Sequence, residues 1–317
     1  MASPVQVRRE HRENLRIRKK AEGSMIRKAA KIEISCPGKI ILMGEHAVVY
    51  GKPAIVAAVD KRIKIILKKR DGNFTILAKS EIPYGVGMGS SAALAVVYAA
   101  TLLAISRKSF SLSRQNRKLI NEIAYQQEKI NHGNPSGVDN TIITYGGLLW
   151  FRRKKEGAPF FKRIKSISLP PFVLINTGRP HERTLKMVEH VRRQMLNSKT
   201  KAGAETTIAQ IGKITQDFLR AMKTENETAI IGSIRRCERK LEGLGVVTEF
   251  GKRLIREIEK LGGAAKVSGA GGKTGKGCGM ILAYHKNPLL IFNLAKRYKL
   301  SAFKAKLGGE GVKIINK

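Results

Sequence analysis

The chain has 317 residues, of which 42% are hydrophobic, so it is long enough for one or two folded domains and too apolar to be disordered throughout. Its 61 Lys and Arg residues against 24 Asp and Glu residues give a formal net charge of +37, which attracts phosphate groups of any kind but selects no particular partner. Three widely spaced cysteines without a C-x-x-C pair argue against a disulfide framework or a zinc site and favour a reducing cytoplasm.

The first 24 residues are basic and lack the apolar segment of a secretory signal. We predict that residues 1–24 form a disordered N-terminal arm with no catalytic part. Met25 directly precedes the first strand-like run, so an alternative is that translation starts there.

Residues 31–151 alternate between β-prone stretches and one long apolar run. Strands are predicted at 31–35, 39–42, 54–58, 63–67, 141–145 and 148–151. The apolar run at 92–105 has 14 residues, too few to span a bilayer, and therefore predicts a buried helix that begins at Ser90. A second helix is predicted to end near Glu128, before a non-helical loop at 132–137.

The sequence pattern changes from strand-rich to largely helical near Pro170-Pro171, and we interpret this position as a domain boundary. The predicted domains are therefore 25–170 and 171–317. Strands are predicted at 172–176 and 279–284, and helical periodicity is found at 185–195, 208–222 and 231–241. This order of elements is typical of an α+β protein.

Three alternating glycines precede the buried helix, in the segment from Pro83 to Ala93. Glycine lets the backbone approach a ligand and adopt positive φ, and a helix N-terminus offers free N–H groups to a phosphate. Ser90 and Ser91 can cap the helix or reach a metal or a phosphate oxygen. The segment predicts a phosphate-binding loop, with a packed turn that binds no ligand as the alternative.

Two better-known nucleotide motifs are excluded. A dinucleotide fingerprint requires an acidic residue about 20 positions after the glycines, and none occurs between Glu81 and Glu122. A P-loop ending in Gly272-Lys273-Thr274 would require glycine at position 267, which is Val267. The segment from Ser268 to Gly279 instead predicts a second glycine-rich loop close to a bound group, or a flexible hairpin.

Three charged residues accompany these loops. Lys39 lies shortly before Gly44-Glu45-His46, and the loop at 132–137 could bring Glu128 and Asp139 to one side of a cleft. A kinase requires a group that holds Mg²⁺, cations that spread the phosphoryl charge, and a carboxylate that accepts the hydroxyl proton. Each residue alone is typical of a solvated surface charge, but together with the loops they indicate phosphoryl transfer.

Three motifs in this order resemble those of the galactokinase, homoserine kinase, mevalonate kinase and phosphomevalonate kinase (GHMP) family. They are Pro37-Gly38-Lys39 with Gly44-Glu45-His46, then 83–93 with Met88 for the usual Leu, then 268–279. Residues 44–51 and 132–140 are most similar to the mevalonate kinase members. The resemblance implies an α+β fold of two domains, one like ribosomal protein S5 domain 2 and one ferredoxin-like, with the site between them.

The resemblance also implies residue roles. Asp139 is expected to be the catalytic base with Lys39 as its charge partner, and Ser91 and Glu128 are expected to hold Mg²⁺. Substrate contacts are expected from Glu45, His46 and Thr184. Contacts with ATP are expected from Pro83, Gly85, Gly87, Met88, Gly89, Ser90, Ser91, Ala92, Gly269, Gly271 and Gly272.

The activity that the resemblance implies is ATP-dependent phosphorylation of the primary hydroxyl of mevalonate, by a cytoplasmic homodimer that does not enter a membrane. Phosphomevalonate or another polyol is the alternative substrate. A more distant alternative is an inactive kinase fold that binds nucleic acid, which rests on the charge alone because aromatic residues are only 6% and RNA-binding motifs are not recognisable. The extra residues Lys273 and Lys276 either add phosphate contacts or displace the third motif.

Overall fold

The computed structural model describes residues 31–70, 73–106, 110–132, 135–154, 156–165, 167 and 169–316. The predicted arm at 1–24 lies outside these residues. Within the described ranges, no helix has both the length and the apolar character needed to cross a bilayer.

The first sheet contains six strands in the described part of the chain. They are β1 (Lys31–Met43), β2 (Pro53–Arg70), β3 (Asn73–Ser80), β4 (Leu148–Arg152), β5 (Phe160–Arg163) and β10 (Lys313–Asn316). Their order is β10-β1-β2-β4-β5, and β3 pairs with the second half of β2. The four short strands predicted between 31 and 67 form two long strands, β1 and β2. Strand β1 continues through Pro37 because its pairing with β2 shifts register between Pro37 and Gly38 and then resumes.

Three helices accompany this sheet: α1 (Ser90–Ser106), α2 (Arg114–His132) and α3 (Val138–Tyr145). Helices α1 and α3 pack against the sheet, and α2 packs on those two helices. The prediction of a buried helix from Ser90 is confirmed, since α1 carries no charged residue and buries most of its alanines and valines. The second predicted helix is also confirmed, although α2 continues about one turn beyond Glu128.

The prediction of a strand at 141–145 is wrong, because these residues belong to α3. Gly137 adopts a left-handed φ of 80°, and its carbonyl accepts hydrogen bonds from the amide and the hydroxyl of Thr141. A helix therefore begins directly after the loop, and an apolar run this short does not distinguish helix from strand. As a result Asp139 lies in the first turn of a helix.

The second half of the chain builds an antiparallel sheet in the order β7-β8-β6-β9. Its strands are β6 (Val173–Asn176), β7 (Ala264–Ser268), β8 (Met280–Tyr284) and β9 (Ser301–Lys304). Its helices are α4 (Thr184–Leu196), α5 (Lys201–Lys223), α6 (Glu227–Gly243), α7 (Glu249–Lys260) and α8 (Pro288–Arg297). The predictions of β6, β8 and α4–α6 are confirmed, whereas α7 and α8 were not predicted.

The end of the chain returns to the first sheet. Strand β10 pairs with β1, Leu307 bridges Val59, and Glu310 bridges Gly146. The side chain of Arg62 donates to the carbonyls of Glu310 and Gly311 and fixes this return. Residues 307–316 therefore lie with the first sheet, although the predicted second domain extended to 317. The boundary at 170 stays a prediction.

Candidate active site

The loop before α1 has the backbone that its glycines predict. Gly85, Gly87 and Gly89 all lie in the left-handed region, with φ of 74°, 88° and 72°. The amide of Ala93 donates to the carbonyl of Gly89 at 2.8 Å and starts the helix. The first N–H groups of α1 have no partner within the helix, and the helix dipole adds positive charge there, so this end is suited to an anion.

Not every residue of this loop can offer a side chain to a ligand. Met88 and Ala92 are buried in the core, and the carbonyl of Met88 accepts a hydrogen bond from the amide of Lys39 at 2.9 Å. Pro83 is half-buried, and the hydroxyl of Ser90 lies 3.4 Å from the amide of Gly85. Contacts between this loop and a nucleotide would therefore come mainly from the backbone.

The two glycine-rich loops touch each other. A Cβ placed on Gly87 would lie 2.9 Å from the carbonyl oxygen of Ser268, and one on Gly269 would lie 3.5 Å from the Cα of Gly87. The amide of Met280 donates to the carbonyl of Val86 at 2.9 Å. Loop 268–279 thus supports the loop before α1 through its backbone, which requires the absence of side chains at these positions.

Two other glycines of loop 268–279 approach the protein itself. A Cβ on Gly271 would lie 2.0 Å from the carbonyl oxygen of Val246, and the amide of Gly272 donates to the same oxygen at 3.0 Å. Close packing against the segment between α6 and α7 therefore accounts for these two glycines. Their contact with ATP phosphates stays a prediction.

Lys39 and Asp139 form an ion pair with 3.2 Å between Nζ and Oδ1. The side chain of Lys39 is 4% exposed and that of Asp139 is 32% exposed. Lys39 passes directly over Gly89, where a Cβ would lie 2.7 Å from its Cγ. The arrangement places a buried cation and an accessible carboxylate beside the N-terminus of α1, the combination that alcohol activation requires.

Ser91 and Glu128 form a second polar pair at this end of α1. The Ser91 hydroxyl donates to Oε1 of Glu128 at 2.7 Å, and Glu128 is buried. Among the described residues, no group of three or more His, Cys, Asp or Glu side chains could hold a metal ion. One carboxylate and one hydroxyl fit Mg²⁺ held mainly by phosphates and water, because this ion prefers hard oxygen ligands and needs few from the protein.

Glu45 and His46 face loop 268–279 more than an open cleft. Glu45 is fully buried and pairs with Lys266 of β7. His46 has a φ of 55°, and its Nε2 lies 3.1 Å from the carbonyl oxygen of Ala270. Burial lowers the pKa of His46 to about 4, so a neutral imidazole donates this hydrogen bond near neutral pH.

The sequence reasoning missed Lys266. The feature that points to Lys266 is its position in strand β7 (Ala264–Ser268), in which all five residues are buried. A lysine in such a strand must have a partner, because an unpaired buried charge is too costly.

The extra residues of loop 268–279 are held by Glu182, which sequence reasoning also missed. Its carboxylate accepts hydrogen bonds from the amide of Lys273 at 2.9 Å and from the hydroxyl of Thr274 at 2.5 Å. Although burial opposes the change, the hydrogen bonds from Thr274 and Lys273 lower the pKa of Glu182 to about 2. The insertion is therefore fastened beside the start of α4, where Thr184 is exposed.

Arg179 connects the second half of the chain to the loop before α1. Its guanidinium lies 5.5 Å from the ring centroid of Tyr84, and a Cβ on Gly85 would lie 3.1 Å from its Cδ. An exposed arginine thus stands at the entrance to the loop.

Glu238 of α6 lies behind this site and gives a pH-dependent prediction. Its Oε2 accepts a hydrogen bond from the amide of Val267 at 3.0 Å, and burial raises its pKa from 4.5 to about 8. Between these values the folded protein keeps a proton that the unfolded chain releases, so the free energy of unfolding falls as pH rises. Glu238→Gln should remove this fall, which reaches about 1.4 kcal/mol per pH unit. Urea unfolding of both proteins from pH 5 to pH 8 measures it, and parallel profiles would contradict it.

Comparison with known proteins was made for the chain and for its structure. Residues 54–147 match the family described as GHMP kinases N terminal domain. The chain is 31% identical over 277 residues to the mevalonate kinase of Archaeoglobus fulgidus, an alignment that covers 75% of this chain and 88% of that protein. It is 28% identical over 257 residues to the mevalonate kinase of Arabidopsis thaliana, covering 76% of this chain and 65% of that protein.

The fold agrees with these matches. The crystal structure of L. major mevalonate kinase in complex with R-mevalonate superposes with a TM-score of 0.73 at 18% identity, covering 90% of this chain and 98% of that one.

Proposed function

Because the chain belongs to the GHMP kinase family, we propose that it transfers the γ-phosphoryl group of ATP to the primary hydroxyl of mevalonate, giving 5-phosphomevalonate and ADP. The observation that carries this proposal is the ion pair of Lys39 and Asp139 beside the N-terminus of α1. It supplies a base and a cation at the end of a helix that is suited to phosphate.

Asp139 acts as the base in the proposed reaction. Its carboxylate orients the primary hydroxyl and accepts its proton as the oxygen attacks phosphorus, while ADP leaves on the opposite side. Lys39 stabilises negative charge near the reacting oxygen, and its burial strengthens that interaction. Most of the rate enhancement comes from positioning and charge stabilisation, because phosphoryl transfer requires little covalent help from the protein.

The phosphates of ATP lie along the backbone amides of Gly85–Ser91, supported by loop 268–279. The candidate ligands for Mg²⁺ are Ser91 and Glu128, whose oxygens already lie together. The ion supplies neutralisation of phosphate charge when it is bound. Ser91 and Glu128 would hold the ion at the N-terminal end of α1, beside the amides that would bind the phosphates.

The acceptor would bind on the side of His46 and Thr184, and Thr184 offers an exposed hydroxyl at the start of α4. His46 is held by its contact with loop 268–279, and Glu45 is fully buried against Lys266, so Glu45 would shape this side of the site without an exposed surface of its own. A reducing cytoplasm suits the three free and buried cysteines. The homodimer stays a prediction from the family resemblance.

A comparison of acceptors tests the proposed function. ADP release should be measured for the full chain with mevalonate, phosphomevalonate, galactose and homoserine at the same ATP and Mg²⁺ concentrations. Mevalonate should give the highest kcat/KM, because Lys266 is already paired with Glu45 and His46 is neutral near pH 7, so neither supplies an unpaired cation for the phosphate of phosphomevalonate. A higher kcat/KM with phosphomevalonate would replace the substrate and keep the chemistry, while no ADP release with any acceptor would refute the kinase assignment.

A further inference from the structure

Arg179 lies where three segments of the structure meet. It belongs to the connection between β6 and α4, and its side chain reaches the loop before α1. A Cβ placed on Gly85 would lie 3.1 Å from Cδ and 3.2 Å from Nε of Arg179, and a Cβ placed on Gly277 would lie 2.5 Å from the Arg179 carbonyl oxygen. Both glycine-rich loops therefore contact this one arginine at positions where a side chain would collide with it.

The backbone before Arg179 is held by loop 268–279. The amide of Gly279 donates to the carbonyl of Gly178 at 3.1 Å, and the amide of Thr177 donates to the carbonyl of Gly279 at 3.1 Å. The Thr177 hydroxyl donates to the same carbonyl at 2.7 Å. Because these bonds fix the backbone from which the Arg179 side chain extends, less conformational entropy is lost when that side chain binds a ligand.

The guanidinium of Arg179 is close to the end of α1 that is suited to phosphate. It lies 5.5 Å from the ring centroid of Tyr84, within the range of a cation–π contact. Gly85, on which the arginine side chain packs, has its amide 3.4 Å from the hydroxyl of Ser90 in the first turn of α1. An anion bound by the amides of this loop would thus have a guanidinium beside it.

The guanidinium of Arg179 is also open to a ligand. Arg179 is exposed, and the Tyr84 side chain beside it is 73% exposed. Within the described part of the chain, Arg179 has no ion pair and its side chain makes no hydrogen bond. Its planar set of N–H donors matches the oxygens of a phosphate group, so the charge and the donors are both available to one.

Two other cations near these loops are directed elsewhere. Lys39 pairs with Asp139. Lys273 lines a cavity beside α4, together with Glu182. Of these three cations, Arg179 is the one that packs on the loop before α1 and has no carboxylate partner in the described ranges.

We propose that Arg179 binds the triphosphate of ATP in this kinase, as a cation that the second half of the chain adds to the backbone amides of the loop before α1. The inference rests on the proposed function and concerns its nucleotide side. Tyr84 is a positioning residue in this arrangement, because its ring holds the guanidinium beside Gly85.

Calorimetric titration of the full chain with ATP and with adenosine, at one Mg²⁺ concentration and without an acceptor, tests this role. Arg179→Gln should raise the Kd for ATP by ~tenfold or more, because a charge-assisted contact with phosphate is lost. The Kd for adenosine should stay within about twofold, since adenosine carries no phosphate. An unchanged Kd for ATP, or equal losses for the two ligands, would overturn the inference.

Two further arginine variants separate this contact from the general charge of the protein. Arg179→Lys keeps the charge without the planar donors, so it should recover part of the affinity for ATP. Arg297 is an exposed arginine of α8, a helix that packs on β6, β8 and β9. Arg297→Gln should leave the Kd for ATP within about twofold at physiological salt, because an exposed charge outside the site is largely screened. A loss as large as that of Arg179→Gln would assign the effect to the overall charge and overturn the inference.

Variants of Tyr84 test its positioning role. Tyr84→Phe keeps the ring and should leave the Kd for ATP within about twofold, whereas Tyr84→Leu should raise it by ~two- to fivefold. In the Arg179→Gln background, Tyr84→Leu should add nothing, because the ring acts through the guanidinium. The same loss from Tyr84→Leu with and without Arg179 would overturn the positioning role.

Steady-state kinetics separate this inference from the proposed function. With mevalonate as acceptor, Arg179→Gln should raise KM for ATP by ~tenfold or more and leave KM for mevalonate within about twofold. A raised KM for mevalonate with an unchanged KM for ATP would place Arg179 on the acceptor side and overturn the inference. A parent protein that binds ATP without phosphorylating mevalonate would refute the proposed acceptor alone, and one that binds no ATP would refute both.

Discussion

Replacing Asp139 by Asn should lower kcat by ~10²–10⁴-fold, because the amide cannot accept the proton of the attacking hydroxyl. The side chain keeps its size, and the amide oxygen can still accept a hydrogen bond from Lys39, which lies 3.2 Å from Oδ1 in the parent. The dissociation constant for ATP should therefore stay within about twofold of the parent value. Steady-state ADP release and calorimetric titration with ATP measure the two quantities.

Asp217→Asn is a matched control for this substitution. Asp217 lies in α5, its side chain is 32% exposed like that of Asp139, and it also pairs with a cation, Arg220. Its replacement should leave kcat within about twofold, because an exposed ion pair contributes little to stability. Turnover of Asp139→Asn close to that of the parent would remove Asp139 from the role of base.

Gly87→Ala should raise KM for ATP by ~tenfold or more while kcat at saturating ATP changes less. The new Cβ would lie 2.9 Å from the carbonyl oxygen of Ser268, and the φ of 88° is unfavourable for any residue with a side chain. The loop before α1 must then move away from loop 268–279, so the amides offered to the phosphates lose their arrangement. Initial rates over a range of ATP concentrations measure the effect.

Gly157→Ala separates backbone strain from this clash. Gly157 has a φ of 75°, and a Cβ placed on it would have no atom within 4 Å. The control should cost about 1–2 kcal/mol of unfolding free energy at most and leave KM for ATP unchanged. If Gly87→Ala behaves as Gly157→Ala does, the contact between the two loops is not required for nucleotide binding.

The local elements of the site could be predicted from short stretches of sequence. The glycine spacing from Gly85 to Gly89 specifies a left-handed backbone, and the uncharged run that follows specifies a buried helix. The prediction failed at 141–145, where a few apolar residues fit either helix or strand and the conformation of Gly137 decides between them. The structure places Asp139, which lies between the predicted loop and the predicted strand, in the first turn of α3.

The sequence by itself determined the order of the motifs, the loop before α1 and the types of residue that could carry out phosphoryl transfer, because each depends on neighbours within about a dozen positions. Only the tertiary structure decided which charged side chains pair with one another and with polar groups. Glu45 and Lys266 are 221 positions apart, and Glu182 and Thr274 are 92 apart. Contacts of this kind depend on the order of strands in two sheets and on how those sheets pack. The large entropy cost of closing such loops is offset only by burial of the whole core.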